Sequence, residues 1–246
     1  MVEIKDNETV DDLLISGLKI IQKARGFRFS LDAVLLAHFV TVKEKDKVID
    51  LGTGTGIIPL LLTTRAKGLD LTGVEIQKEI AEMAQRSMIL NGLNEIKIMN
   101  EDLRQLPKSF NGQYDLVVAN PPYLPLNQGK ISPLPEVAIS RHEIKCSLEE
   151  LVRTAARLLK PQGRFALIHK SDRLTELMLV LKANDLEPRR MRLIHPKLEK
   201  NANLVLLEAR KGAQPYLEVL NPLIVYERDG SYSQELLEYY LGGESR

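Results

Sequence analysis

Between Lys47 and Asp185 the apolar positions fall in short runs that alternate between two spacings. Lys47 to Leu51, Leu71 to Ile76, Ile96 to Asn100, Tyr114 to Asn120 and Arg164 to Lys170 are compact, rich in Val, Ile and Leu, and bounded by turn residues, which predicts strands. The stretches between them carry the wider spacing of helices: Ile57 to Lys67, Lys78 to Gly92, Ser147 to Gly163 and Ser171 to Asp185. Pro59 is tolerable because it falls in a first turn, Asn91-Gly92 marks a helix end, and Ser147 with Glu150 forms a capping box. Leu18 to Gln22 reads as a short strand or an apolar arm. Ser30 can cap a helix from Leu31, with Asp32 in the first turn where the helix dipole favours an anion.

Strands alternating with helices argue an α/β fold with a doubly wound, mostly parallel sheet. The pattern changes at the end. Glu187 to Pro196 and Asn203 to Lys211 are strands joined by a polar loop with no helix between them, so they should pair as an antiparallel hairpin. There is no internal repeat and no low-complexity linker. Residues 1–246 therefore read as one domain: an N-terminal extension over 1–42, a core over 43–211, and a tail over 212–246 packed on the core. The tail holds an apolar piece, Leu217 to Tyr226, and then a polar, helix-like end.

Composition narrows the setting. The 246 residues carry a formal net charge of +1, so any basic footprint for nucleic acid must be local. The single cysteine, Cys146, excludes an internal disulfide and fits a reducing compartment. The acidic start, MVEIKDNETVDD, does not resemble a signal peptide, and no apolar run is long enough for a bilayer. A soluble cytoplasmic protein is expected. His38, His142, His169 and His195 are scattered; His142 and Cys146 have helix-like spacing but no flanking ligands, so no metal is expected.

Two stretches carry candidate chemistry. Asp50-Leu51-Gly52-Thr53-Gly54-Thr55-Gly56 lies between a strand and a helix, where glycines allow a tight turn and close approach of a ligand. Glu75, followed by Ile76, ends the next strand 23 residues after Gly52, at the place where a carboxylate can accept hydrogen bonds from ribose hydroxyls. Asp50 would repel a pyrophosphate and favours a cofactor with a cationic end; S-adenosylmethionine meets that description. The second stretch is Asn120-Pro121-Pro122-Tyr123, at the end of the fourth strand. It is either a rigid strand exit or a polar clamp beside an aromatic plate, since prolines donate no backbone hydrogen bond and stiffen the chain.

Together these features resemble the class I S-adenosylmethionine-dependent methyltransferases that act on planar amino groups, whose sheet has seven strands with the last reversed. QKARGFRFSLDAVLLAHF, SPLPEVAISRHE and NPLIVYERDGSYSQE extend the likeness to the bacterial tRNA adenine-N6 methyltransferase family, over nearly the whole chain. That resemblance implies methylation of an adenine beside the anticodon of a valine tRNA. The Asn120 side-chain oxygen and the Pro121 carbonyl would each accept one N–H of the amine, turning its lone pair towards the methyl donor. Pro122 would keep this geometry fixed and Tyr123 would stack on the flipped base. Asp50, Gly52, Thr53, Gly54, Gly56, Glu75, Ile76 and Asn120 would surround the cofactor. Asp102 stands where family members contact the cofactor adenine, or it caps the turn that follows. Phe29, Ser30 and Asp32 stand where relatives approach the methionine end, or they are a core aromatic and a plain helix cap.

Lys19, Lys23, Arg25 and Arg28 form one basic cluster, and Arg189, Arg190, Arg192, Lys197 and Lys200 a second. Both could face RNA phosphates, with Arg141 on the long loop after Tyr123; a solvated surface is the alternative. The chain would act as a monomer or a homodimer. Rival readings are a glutamine-N5 methyltransferase of a protein, which would share Asn-Pro-Pro-Tyr, and a catalytically silent RNA-binding subunit.

Overall fold

The computed structural model describes residues 2–25, 31–121 and 146–240. Seven strands form the body of the main sheet: β3 (Lys47–Leu51), β4 (Asp70–Glu75), β5 (Lys97–Asn100), β6 (Tyr114–Ala119), β7 (Leu159–Lys170), β8 (Leu186–His195) and β9 (Leu204–Lys211). Their spatial order is β8-β9-β7-β6-β3-β4-β5. β9 runs antiparallel to both β7 and β8, and the other neighbours are parallel. The closing hairpin read from the sequence is therefore present, with Ile194 opposite Leu204 and Leu186 opposite Lys211.

Side chains alternate across the sheet because successive residues of a strand point to opposite faces. Val48, Leu116, Val118, Ala166 and Ile168 join a core cluster with α1 (Leu31–Phe39) and α2 (Ile57–Leu62), and with Met88 of α3 (Lys78–Leu90). Ile49, Leu51, Val117, Ala119, Phe165 and Leu167 join the opposite cluster, with α4 (Leu148–Leu158) and α5 (Leu174–Ala183). Both faces are covered, as a parallel sheet requires.

The structure departs from the sequence reading in four places. The main sheet has nine strands: two short tail strands, β10 (Glu218–Val219) and β11 (Leu223–Ile224), pair in parallel with the outer edge of β8. The helix after the glycine turn stops at Leu62, where the Thr63 and Thr64 hydroxyls donate to the carbonyls of Leu60 and Leu61 and compete with the helical ladder. The chain enters β7 at Leu159, directly from α4, so Pro161 and Gly163 lie inside a strand. Finally, the acidic start forms a strand, β1 (Glu8–Asp12), antiparallel to β2 (Lys19–Lys23). α3 holds this hairpin: Arg86 grips both Glu8 oxygens at 2.6 Å, the Ser87 hydroxyl accepts from the Ile21 N–H, and the Asn91 amide bonds both backbone groups of Lys19.

The tail ends in α6 (Gln234–Tyr240), whose Leu236 is fully buried in the first cluster. Among the described residues no helix is long and apolar enough to cross a membrane.

Candidate active site

The chain runs from β3 to β4 and β5 on one side, then crosses to β6 on the other. That reversal opens a crevice at the carboxyl ends of β3 and β6, where open α/β sheets receive ligands. The glycine turn enters it from β3. Gly52, Gly54 and Gly56 have φ of 78°, 56° and 88°, the left-handed region that favours glycine. The N–H groups of Gly52 and Thr53 both donate to the Val74 carbonyl at 2.9 Å, which ties the turn to β4. A Cβ built on Gly52 or Gly54 would meet nothing within 4 Å, so both backbones are bare on the open side. Gly56 differs: its Cβ would lie 2.5 Å from Met88 Cε, so this glycine serves the close packing of α2 on α3. Gly73, which the sequence reading did not single out, lies beside Asp50 in the ladder and leaves room for the Thr53 side chain, 2.9 Å from where its Cβ would be.

Asp50 is 1% exposed, and neither of its carboxylate oxygens has a hydrogen-bond partner. The Thr53 hydroxyl, also buried, has none either. Burial pushes the Asp50 carboxyl up to about 7; the nearby Thr53 hydroxyl opposes this and the Glu75 carboxylate adds to it. A buried carboxylate with no donor is costly unless something else completes it. Glu75 is buried too, and burial raises its carboxyl against the pull of backbone donors. Its two oxygens accept from Gly54 N–H at 3.1 Å and Gln77 N–H at 2.9 Å, so it braces the glycine turn.

A cleft opens along the carboxyl ends of β3, β4 and β5. Gly52, Val74, Glu75 and Ile76 line it, with Glu101, Asp102, Leu103 and Cys146. Asp102 caps the turn after β5, accepting from Arg104 N–H at 3.0 Å, and its carboxylate also holds the Arg104 guanidinium at 2.6 Å. The cap is thus present on a residue that also faces the cleft. Asn100, Glu101, Leu103 and Cys146 were not foreseen. The Asn100 amide donates to the carbonyls of Glu75 and Ile76, at 2.9 and 3.1 Å, and fixes the chain where it leaves β4. Its one sequence signal is an asparagine at a strand's carboxyl end.

β6 delivers Asn120 to the same crevice. Asp50 pairs with Val118, so Asn120, two residues on, leaves β6 beside the point where Gly52 leaves β3. Pro121 follows. Asp32 lies in the first turn of α1, which packs on α2. Pro122, Tyr123, Arg141, Arg28, Phe29 and Ser30 lie outside the described residues.

The second basic cluster has internal partners. Arg189 donates to the Gln214 carbonyl and lies 5.0 Å from the Tyr216 ring. Arg190 donates to the Thr41 hydroxyl at 2.6 Å, with its guanidinium 5.0 Å from the Phe39 ring. Arg192 holds both Glu235 oxygens at 2.6 and 2.8 Å, the Tyr239 hydroxyl at 3.1 Å and the Asn221 carbonyl at 2.8 Å. It fastens the tail to β8. Tyr239 in turn stacks flat on His38 of α1, with centroids 4.2 Å apart. Lys197 lies apart from these, on the turn after β8, where it reaches the Arg228 carbonyl.

Residues 30–183 match the family model of the methyltransferase small domain. A protein of Tolumonas auensis named tRNA1(Val) (adenine(37)-N6)-methyltransferase is 30% identical, over 90% of this chain and 93% of its own length. One of the same name from Porphyromonas gingivalis is 30% identical over 88% of each chain. Among solved structures, a predicted O-methyltransferase of Agrobacterium tumefaciens superposes with a TM-score of 0.68 at 24% identity, covering 86% of this chain and 96% of that one; it bears on the fold alone.

Proposed function

The chain belongs to the methyltransferase small domain family, and from that premise we propose that it methylates N6 of an adenine in tRNA, beside the anticodon of a valine tRNA. The relatives named for that reaction span almost the same length as this chain. The observation that carries the reading is the meeting of two strand ends: Asn120 leaves β6 beside the bare glycine turn, above the partnerless Asp50 carboxylate.

S-adenosylmethionine, when bound, supplies an electrophilic methyl group on a sulfonium. The residues present fit it. Gly52 and Gly54 leave their backbones open to close approach. Asp50, ionised beside a cation, would complement the ammonium end, and Asp32 with the chain before it would border that end. Glu75 would hold the ribose, exchanging its hold on Gly54 for hydroxyl donors, while Ile76, Asp102 and Leu103 border the nucleobase end.

Catalysis on the substrate side is positioning. The adenine amine is a weak nucleophile because its lone pair is delocalised into the ring. The Asn120 oxygen and the Pro121 carbonyl each accept one of its N–H bonds, which favours a tetrahedral nitrogen and aims the lone pair. Pro122 keeps both acceptors fixed and Tyr123 offers a stacking face. The proton leaves after transfer, when the nitrogen is acidic, so no strong general base is needed. In this reading residues 1–246 act as one unit in the cytoplasm, as a monomer or homodimer, without a metal.

The test is incubation with labelled S-adenosylmethionine and bulk tRNA, followed by nucleoside mass spectrometry. N6-methyladenosine in a valine tRNA is the expected product. Label on a protein substrate with none on RNA would overturn the reading.

A further inference from the structure

The tail builds a second feature at the same edge of the sheet. β11 runs parallel to β8, so its carboxyl end points the same way as those of β3 and β6. Tyr226, just beyond that end, opens a tight hairpin: it bridges to Tyr232, and Glu227 N–H donates to the Ser231 carbonyl at 2.8 Å. Three tyrosines stack there in a ladder. Tyr226 and Tyr232 have centroids 5.4 Å apart and planes 20° apart; Tyr232 and Tyr240 follow at 6.2 Å and 14°. Tyr240 of α6, a helix anchored by buried Leu236, ends the ladder on one side and Tyr226, 37% exposed, ends it on the other.

Tyr226 also lines a groove of about 490 Å³. Leu198 and Glu199, on the turn Lys197–Lys200, line it too, with Leu198 66% exposed. Ile224 contributes apolar lining, and Glu199, Glu227, Arg228 and Asp229 complete the rim. Aromatic and apolar surfaces thus stand among donors and acceptors, a composition suited to a flat, polar-edged ligand. The lining carries three carboxylates, Glu199, Glu227 and Asp229, against Arg228, whose Nε donates to Glu199 Oε1 at 2.9 Å, with Lys197 reaching the Arg228 carbonyl. A run of phosphates gains little from such a rim. A nucleobase gains from it: its face can stack on tyrosine and its exocyclic amine can donate to a carboxylate, while the exposed remainder of the Arg228 guanidinium can meet its phosphate.

We propose that this groove binds an unpaired nucleobase of the RNA substrate, distinct from the adenine that is methylated. The proposal rests on the tRNA reading above and adds a second point of contact to it. From β11 through β8, β9 and β7 to β6 there are four strand spacings, or roughly 19 Å at ~4.8 Å each. That is about six nucleotides stacked at ~3.4 Å, so one RNA hairpin loop can reach both places.

The experiment uses the full chain and a tRNA substrate. Tyr226→Ala should raise KM for RNA about tenfold, the order expected when one stacked base is lost, with kcat and S-adenosylhomocysteine affinity unchanged. Tyr226→Phe should restore the wild-type KM. Ultraviolet crosslinking in S-adenosylhomocysteine, followed by peptide mass spectrometry, should place an adduct on the segment 224–232. A wild-type KM in Tyr226→Ala, with crosslinks confined to other segments, would overturn this groove while leaving the methylation reading intact. Absence of RNA methylation by the wild-type protein would instead remove that reading, and this proposal with it.

Discussion

Two carboxylates packed against the sheet are treated in opposite ways. Glu235 in the tail has both oxygens on Arg192, and the Tyr239 hydroxyl joins them. Asp50 at the glycine turn has no partner on either oxygen, and the hydroxyl beside it has none. The tail clamp is complete as folded. The glycine turn leaves a carboxylate open to a ligand, since a buried polar group left unpaired costs about 1–3 kcal/mol or more for a charge. Unpaired buried atoms also occur away from the crevice, as at Arg164 Nη1, so the missing partner points to a ligand only together with the bare glycine backbones beside it.

The contrast predicts which assays respond to which changes. The largest effect should come from Asn120→Ala, which removes one acceptor from the amine clamp. It should lower kcat by about 10²–10³-fold with a far smaller change in cofactor affinity, read by single-turnover kinetics and calorimetry. A wild-type turnover rate would refute the clamp. Arg192→Ala acts on the completed region. It leaves Glu235 and Tyr239 without their cation, and since Glu235 is 41% exposed, water compensates in part. We expect a loss of about 1–2 kcal/mol in urea unfolding, with cofactor affinity unchanged.

Locality explains which of these regions the sequence revealed. The glycine turn is seven consecutive residues, Asp50 to Gly56, and Asn120 stands in a run that stops a strand, so both were readable as motifs. The alternation of short apolar runs with helical stretches revealed the layers, because strands buried on both faces read as continuous apolar runs and need helices on both sides. The tail clamp joins Arg192 to Glu235, 43 residues away, and its existence depends on the register of β11 beside β8. Two-residue strands leave no periodic trace. β1 was hidden for another reason: Glu-Thr-Val-Asp-Asp is polar, and its stability comes from pairing with β2 and from Arg86, 78 residues beyond Glu8. The second basic cluster could be read from the sequence as facing RNA or solvent, because charge is visible there and the internal partners of Arg189, Arg190 and Arg192 are not.

A smaller and opposite effect should follow from Asp50→Asn. It removes a buried charge with no partner, so the protein without cofactor should become more stable, with a higher Tm. Cofactor should bind about tenfold more weakly, the usual order for one charge-assisted contact of ~1.5 kcal/mol. If the variant bound cofactor like the wild type, Asp50 would be an ordinary buried carboxyl and the contrast between the regions would lose its meaning.

The finest test is the pH dependence of stability, because the two regions push in opposite directions. The Asp50 carboxyl sits at about 7 when folded and 3.8 otherwise. Between those values the folded protein keeps a proton that the unfolded chain has released, so this group makes stability fall as pH rises from about 4 to about 7. His38, stacked on Tyr239, is pushed by burial, and secondarily by the Arg65 charge, from 6.5 down to about 4. There the unfolded chain binds the proton, and stability rises with pH across that window. His169, buried in β7, behaves in the same way and for the same leading reason. Between pH 5 and 6.5 most carboxylates are already ionised, so the two histidines and the two carboxyls that burial raises, Asp50 and Glu75, dominate the slope. These groups push in opposite directions, so urea midpoints of the cofactor-free protein should change little with pH. Asp50→Asn should tilt that response upward with rising pH and His38→Gln should tilt it downward. A bound cofactor should act as Asp50→Asn does, because an adjacent cation lowers the Asp50 carboxyl and removes its opposing slope. If cofactor left the wild-type slope unchanged, the cation would not lie beside Asp50, and the partnerless carboxylate would need another ligand to complete it.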